Sequence, residues 1–424
     1  MADFTKFYKK TLQERLEVLS SLGNMDTLAN HQTLSLDIAD TIIENCIGLY
    51  GVPMGIAPDF VIDGQTYHAP MATEEPSVIA AATFGAKIIG KSGGFTVEHN
   101  SRGMIGQIVF VTNENDTQLA QLILDKKEDL IEKANNAYPS IVKRGGGARN
   151  LSVEHKISQD DSTHFLIVYL HVDTQEAMGA NLLNTMLEAI AGDISELIGQ
   201  KTLLSILSNY ATDSLVRVSC TVDPTHLMAP DNTLTNKELA ERIVLAYQLA
   251  SADVYRATTH NKGVMNGISA VVLATGNDTR AIEASVHAYA THSGQYQPIT
   301  RWEMTENHLL KGTIEVPLPI GFVGGSISVH PSAQIAQVIS QAKDAKTLAS
   351  LMASVGLAQN LAALRALVST GIQKGHMALQ LKSLALSVGA TAQEAITLAE
   401  LLKQEKTANQ ETTQKLLQTL RHQK

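Results

Sequence analysis

Two hydrophobic rhythms alternate along the chain, one with the spacing of a helix and one with that of a strand. Leu12, Leu16, Leu19 and Leu22 recur at three- and four-residue intervals among charged residues, which predicts an amphipathic N-terminal helix. The stretch "SLDIADTIIENCIGLYGVPMGIAP" then passes from helical spacing into a run broken by Gly and Pro. In "FVIDGQTYHAPMA" the alternation turns around Asp63-Gly64, a strong hairpin signal because both residue types tolerate positive φ. "EEPSVIAAATFGAKIIGKSGG" opens on acids, carries Pro76 where a first helical turn would lie and stops at Gly93-Gly94. It predicts a helix of small, closely packing residues.

From 104 to 212 the texture changes. Strand-like "MIGQIVFVT" is followed by helical "TQLAQLILDKKEDLIEKANNAY", by strands in "LSVEHKIS" and "THFLIVYLHV", by helical "NLLNTMLEAIAGDISELIG" and by "LSILSNYA". That order predicts a small ferredoxin-like, split-βαβ unit. The larger unit resumes at 213, and the tail from 370 is rich in Ala, Leu, Gln and Lys. The tail reads as helical, entered through "GIQKGHM" with Gly371 and Gly375 as hinge points. The expected class is α+β: a large mixed helix/sheet domain in two parts, 1–103 and 213–369, an inserted small domain at 104–212, and a C-terminal helical segment at 370–424.

A chain of 424 residues exceeds the size at which one core keeps growing, in keeping with several domains. Hydrophobic residues make up 44% and charged residues 18%, without an unbroken membrane-length apolar run or a signal-type N-terminus, so a cytoplasmic protein off the membrane is expected. Cys46 and Cys220 stand far apart without metal-ligand spacing, which predicts buried, unreactive thiols and no metal site. The net charge of -9 gives no overall attraction for nucleic acid. Any anionic ligand must find a local basic pocket.

The chemistry concentrates in a few short segments. "RATTHNKGVMNGISAVVLATGNDTR" (256–280) places Lys262 alone in a neutral, Gly- and Val-rich run, either as a turn lysine or as a charge held in a site. The following "ISAVVLATGND" reads as a buried strand delivering Asp278 to its end, the first acid to follow Lys262 and the expected partner for a buried ammonium. Glu74 and Glu75 sit at a predicted helix N-terminus, where acids are favoured by the dipole alone. His376 would ordinarily be an exposed helix histidine, and Arg256 a surface arginine with the geometry to bind a carboxylate twice.

Taken together, "MATEEPS" (71–77), "QEAMGAN" (175–181), "THNKGVMNG" with "TGNDTR" (259–280) and "QKGHMA" (373–378) resemble class II 3-hydroxy-3-methylglutaryl-CoA reductase of the bacterial type, from about residue 10 to the end. The resemblance implies that Lys262 donates to the substrate carbonyl oxygen as charge builds there, with Asp278 holding it charged and in place. It assigns Glu75, nearest Pro76, as the proton donor, with a pKa raised above about 4.3. His376 would protonate the departing CoA thiolate from a helical flap hinged near Gly371. Arg256, Ser77, Asn266 and Gln359 match substrate positions, and Lys9, Lys10 and Arg15 offer themselves to the CoA phosphates.

For the nicotinamide cofactor, "GGGARN" (145–150) precedes a strand and is no Rossmann fingerprint. The resemblance instead implies that Glu176, Met178, Gly179 and Asn181 hold it at a helix N-terminus, with Asn209 nearby, although Glu176 stands where the family has aspartate. NADH-preferring members carry an acid ahead of the GGG triplet; here Lys143 and Arg144 occupy that stretch, which points to NADPH, with NADH as the alternative. The implied reaction is two-hydride reduction of the CoA thioester to mevalonate and CoA, in a site shared between the subunits of a homodimer. Mevalonate oxidation with NAD through the same residues, and a non-catalytic CoA- or nucleotide-binding relative, are the alternatives.

Overall fold

The computed structural model describes residues 2–26, 34–112, 117–229, 234–369, 371, 381–405 and 407–422. The N-terminal region contributes helices α1 (Leu12–Ser20) and α2 (Leu36–Ile42). A six-stranded sheet is built from β1 (Met54–Ile62), β2 (Gln65–Ala72), β3 (Phe95–Asn100), β8 (Leu215–Val222), β9 (Thr300–Met304) and β10 (Leu310–Pro317) in the order β2-β1-β3-β8-β10-β9. β1 and β2 form the expected hairpin, and the turn residues Asp63 and Gly64 both have positive φ, 47° and 76°. Two successive positive φ values match the right-handed twist of the flanking strands, which is why Asp-Gly is placed there.

Residues 104–208 form a second sheet with β4 (Met104–Thr112), β5 (Gly147–Ile157), β6 (His164–Asp173) and β7 (Thr202–Ser208) in the order β5-β6-β4-β7, every pair antiparallel. Helices α4 (Thr117–Asp125), α5 (Lys127–Ala137), α6 (Pro139–Val142) and α7 (Ala180–Ile198) accompany it. The single helix expected from 117 to 138 is broken at Lys126, whose φ and ψ leave the helical region. A hydrophobic cluster drawn wholly from residues 104–211 fills this sheet's helix-covered face, separate from the cluster under the six-stranded sheet.

The larger cluster is organised by α12 (Ala345–Leu367), buried on every side from Leu348 to Leu361. It is long and apolar enough to cross a membrane, yet 89% of its apolar window lies inside the protein, as a core helix should. Small residues let its neighbours approach. A Cβ at Gly356 would meet Ile268 at 2.9 Å, and one at Gly85 on α3 (Val78–Lys91) would sit 2.1 Å from the Ala358 carbonyl oxygen.

Against α12 packs α9 (Val254–Ala274), preceded by α8 (Asn236–Ala252) and followed by α10 (Thr279–Tyr289). The buried strand expected at "ISAVVLATGND" is therefore the second half of a helix. Its β-branched residues are tolerated because Val264, Ile268, Val271 and Val272 are all buried, and burial outweighs their small loss of helix propensity. Beyond α11 (Pro331–Ser340) and α12, the tail carries a helix at 381–387, α13 (Ala392–Leu402) and α14 (Gln410–His422). Cys220 is buried, its thiol pushed up to about 12 by desolvation, but Cys46 is only half-buried, beside an exposed apolar stretch, which corrects the expectation for that residue.

Candidate active site

The site grows from the ends of β2 and the middle of α9. After Ala72 the chain leaves the sheet, and the Thr73 hydroxyl accepts from the backbone N–H of Glu75 at 3.2 Å. Ser77 follows with φ 75°, so α3 starts at Val78 rather than around Pro76. This bend turns Glu75 inward, half-buried, and leaves Glu74 exposed. Glu75 Oε2 accepts from Lys262 Nζ at 2.7 Å, and Oε1 lies 3.4 Å from Asn266 Nδ2. Lys262 and Asn266 are one turn apart on α9, so a single helix face presents both donors to one carboxylate.

The acid that meets Lys262 is thus Glu75 and not Asp278. Lys262 sits twelve residues before the end of α9, and its ammonium bonds Glu75 rather than Asp278, the first acid that follows it in sequence. Asp278 instead caps α10, accepting from the Ala281 N–H at 3.1 Å, with Arg280 at 3.7 Å. Its place follows from the "TGND" turn. Gly276, φ 71°, ends α9 as a left-handed cap; its N–H reaches Leu273 O and the Asn277 N–H reaches Val272 O, the paired bonds of a Schellman motif. The ammonium is also less enclosed than expected, for the Lys262 side chain is 59% exposed.

Around this pair lies a cavity of about 250 Å³ walled by Thr73, Glu75, Lys262, Asn266, Thr279 and Glu283, among others. Sequence reading missed part of its wall. Ser269 donates to Glu283 Oε1, Glu283 Oε2 lies 3.2 Å from His287 Nε2, and His287 Nδ1 is 2.8 Å from the Tyr296 hydroxyl. Burial raises the Glu283 carboxyl, but bonds from His287 and Ser269 outweigh it and hold the group below the ordinary glutamate value. The signal available was the i,i+4 spacing of Glu283 and His287 just after the "TGND" turn.

Arg256 is half-buried in the first turn of α9 and does not line this cavity; six residues before Lys262, it is rotated about 120° around the helix. Among the described residues Ser77 Oγ and Gln359 Oε1 find no hydrogen-bond partner, and both are buried. Such atoms are rare in a folded chain, and a bound ligand is one way they are satisfied. His376 and Gly375 lie outside the described residues; Gly371 has φ 80°.

The residues expected to hold the cofactor lie elsewhere on the chain. Gly179 is the N-cap of α7 with φ 98°, and a Cβ there would stand 2.3 Å from Thr174 Cγ2, so glycine is required. No side chain caps the helix, and Asn181 is exposed in its first turn. Met178 is half-buried beside it, and Asn209 is exposed after β7. Glu176 does not face solvent as a ribose ligand would: its Oε2 accepts from the Ala345 N–H at 2.7 Å, at the N-terminus of α12. The extra methylene relative to aspartate lengthens the reach to that helix end. Lys143 and Arg144 are exposed just before the Gly145–Gly147 turn. Arg15 holds the turn at Phe7–Lys9, donating to the carbonyls of Phe7 and Tyr8 at 3.3 Å each, while Lys9 is exposed and Lys10 half-buried.

A larger cavity, about 490 Å³, opens on the outer face of β8, β10 and β9. Its charges are largely paired with one another, Arg217 with Glu315 at 2.6 Å and Arg301 with Glu303 at 2.8 Å. It therefore offers little free charge for a ligand.

A carboxylate and an ammonium are thus paired in a polar cleft, and a helix N-terminus without a side-chain cap stands on the second sheet, within one mixed helix and sheet architecture. The family model described as hydroxymethylglutaryl-coenzyme A reductase matches residues 11–381, and the chain belongs to that family. The 3-hydroxy-3-methylglutaryl-coenzyme A reductase of Archaeoglobus fulgidus is 41% identical over 419 residues, which is 98% of this chain and 94% of its own. The Streptococcus pneumoniae enzyme superposes with a TM-score of 0.83 at 47% identity, covering 99% of this chain and all of the other. A class II structure from the same species, described as bound to NADPH in open conformations, gives 0.81 at 48% identity over 97% of this chain and all of the other.

Proposed function

We infer that this chain reduces 3-hydroxy-3-methylglutaryl-CoA to mevalonate and CoA with NADPH, in the mevalonate pathway. The observation that carries the assignment of roles is the Lys262–Glu75–Asn266 constellation. Of the three N–H groups on Lys262, one engages Glu75 and the others are free to meet a substrate carbonyl oxygen. Charge that builds on that oxygen is stabilised where it forms, which lowers the barrier rather than merely tightening binding. Glu75, within reach of the same ammonium, delivers the proton, and Asn266 fixes the carboxyl's orientation. Ser77 and Gln359 find partners in bound substrate, and Arg256 binds its carboxylate. Asp278 completes the acid set from its turn, and His376 protonates the leaving thiolate.

The residues of the small unit fit a dinucleotide: a glycine-tight approach at Gly179, unpaired amides at the start of α7, and the cations Lys143 and Arg144. NADPH supplies hydride when bound there; Met178, Asn181 and Asn209 orient it. Strand order β5-β6-β4-β7 supports reading residues 104–212 as an inserted ferredoxin-like domain, and the helices at 381–387, α13 and α14 support reading the tail from 370 as a helical flap that excludes water on closing.

The site is completed in a homodimer. Ile47 is fully exposed, Tyr50 is 93% exposed and Ile42 and Ile43 are more than half so, an apolar stretch suited to a second copy; a partner lying over Lys262 would enclose the ammonium. The reading is of a cytoplasmic enzyme that engages neither membrane nor nucleic acid. The deciding experiment is a spectrophotometric assay with the CoA thioester and each nicotinamide cofactor: oxidation of NADPH in preference to NADH is expected, and consumption of neither would end the enzyme reading.

A further inference from the structure

A short piece of backbone, residues 320–322, stands between the turn that carries Asp278 and the loop that leads into α7. On one side the Asn277 amide grips Gly321 twice: Oδ1 accepts from the Gly321 N–H at 2.7 Å and Nδ2 donates to its carbonyl at 3.1 Å. Nδ2 also reaches Thr275 Oγ1 at 3.1 Å, which fixes the amide's orientation. On the other side the Phe322 N–H donates to the Glu176 carbonyl at 2.7 Å. Gly321 is pressed so close to this loop that a Cβ there would lie 3.0 Å from the Met178 nitrogen.

Two of these segments, the 320–322 strip and the loop, are also bolted together by one guanidinium. Arg102 donates through Nη2 to the carbonyls of Ile320 at 2.7 Å, Ala177 at 3.0 Å and Gln175 at 3.0 Å, and through Nε to Gln175 at 3.1 Å. Among the described residues no carboxylate hydrogen-bonds it, although Glu176, Asp173 and Asp344 act on it through space. A cation placed among backbone carbonyls fixes their positions and offsets part of the negative charge that those acids bring to the loop.

We propose that Asn277 and Arg102 are positioning residues that set the cofactor loop, residues 175–179, in register with the turn bearing Asp278, so that dinucleotide affinity depends on an amide lying outside that loop. The proposal rests on the assignment of NADPH to this loop. The amide acts through Gly321 and Phe322 on Glu176, and the guanidinium keeps the loop's carbonyls on the same strip of backbone.

The test is NADPH titration of the full-length protein by cofactor fluorescence, with steady-state kinetics alongside. Asn277→Ala is expected to raise the Kd for NADPH about tenfold, the loss of one or two net hydrogen bonds, and to lower kcat while KM for the thioester holds. Asn277→Asp, which keeps the acceptor for the Gly321 N–H, is expected to recover part of the affinity. Should Asn277→Ala fail to fold, Gly321→Ala, which wedges a methyl against Met178, carries the test in its place. A folded Asn277→Ala or Gly321→Ala protein with wild-type NADPH affinity overturns the proposal. Its failure is distinct from failure of the underlying assignment, because Gly179→Val binding NADPH normally would remove the cofactor from this loop altogether.

Discussion

Lys262 Nζ and Glu75 Oε2 stand 2.7 Å apart although 187 positions separate them in the chain. With side chains 59% and 40% exposed, the pair adds at most about 1 kcal/mol to stability. On the proposed mechanism its value is chemical: a carboxyl that gives up a proton and an ammonium that meets a negative oxygen are held side by side.

The first prediction concerns the ammonium. Lys262→Ala should fold normally, since the side chain is exposed and alanine suits mid-helix, while the barrier to turnover rises by about 3 kcal/mol or more, as for loss of an oxyanion donor. Lys262→Arg should recover little, because a planar fork cannot take the place of a compact donor. Steady-state kcat together with circular dichroism checks both; near-wild-type turnover in the alanine variant would make the residue a surface lysine.

The second separates neighbouring acids. Glu75→Gln keeps the shape and an acceptor for Lys262 but removes the transferable proton, and turnover should fall by at least about a hundredfold. Glu74→Gln should change little, since that exposed side chain, though it lines the same cavity, does not bond Lys262. Equal losses in the two variants, measured in the same assay, would mean that position at the helix start and not proton transfer is what the pair provides.

How far the sequence could be read is instructive at particular residues. The Asp63-Gly64 turn and the strands β4 and β6 were legible, because each depends on local periodicity or on a backbone preference of one or two residues; the choice of Glu75 over Glu74 came instead from the family resemblance. α9 was not, since a helix buried nearly all round loses its 3.6-residue stripe and "ISAVVLA" then reads like a buried strand. The partner of Lys262 was misassigned for a related reason: nearness along the chain stood in for nearness in space, and only the packing of α9 against β2 reveals Glu75. The Ser269–Glu283–His287 group was overlooked because no single residue in it is unusual. Glu176 kept its charge relative to the family but the added methylene carried that charge to the head of α12.

A third prediction follows from two buried histidines away from the catalytic pair. Burial pushes His260 down to about 4, with Arg256 adding to the effect, and burial alone does the same to His68, against an ordinary value of 6.5. The folded protein keeps both neutral while the unfolded chain protonates them below 6.5, so their stabilisation is whole above pH 6.5 and is lost as pH falls toward 4. Each accounts for a loss on the order of 3 kcal/mol across that window. His260→Gln should lower stability at pH 7, since His260 bonds Thr300 and Asn360, yet shrink the further loss between pH 7 and pH 4.5 by about 2 kcal/mol. Denaturant unfolding of wild type and variant at the two pH values measures it, and parallel losses would place the acid sensitivity elsewhere.

The last prediction tests how α12 positions the site. Gly85 on α3 faces the backbone of α12, and a methyl there would press on the carbonyl of Ala358, next to Gln359. Backbone cannot rotate away as a side-chain tip can, so Gly85→Ala forces the two helices apart, costing about 3 kcal/mol or more, despite alanine's better helix propensity. At Gly192 on α7 a Cβ would meet nothing within 4 Å among the described residues, and there the propensity acts alone: Gly192→Ala should stabilise by up to about 1 kcal/mol. Because α3 begins three residues after Glu75, displacement of α3 should also reach the active site, and Gly85→Ala protein that remains folded at low temperature should turn over more slowly than Gly192→Ala. Thermal melts and kcat for the two variants decide it: a Gly85→Ala protein as stable and as active as wild type would mean that α3 and α12 can separate freely, and that Glu75 is held by something other than their contact.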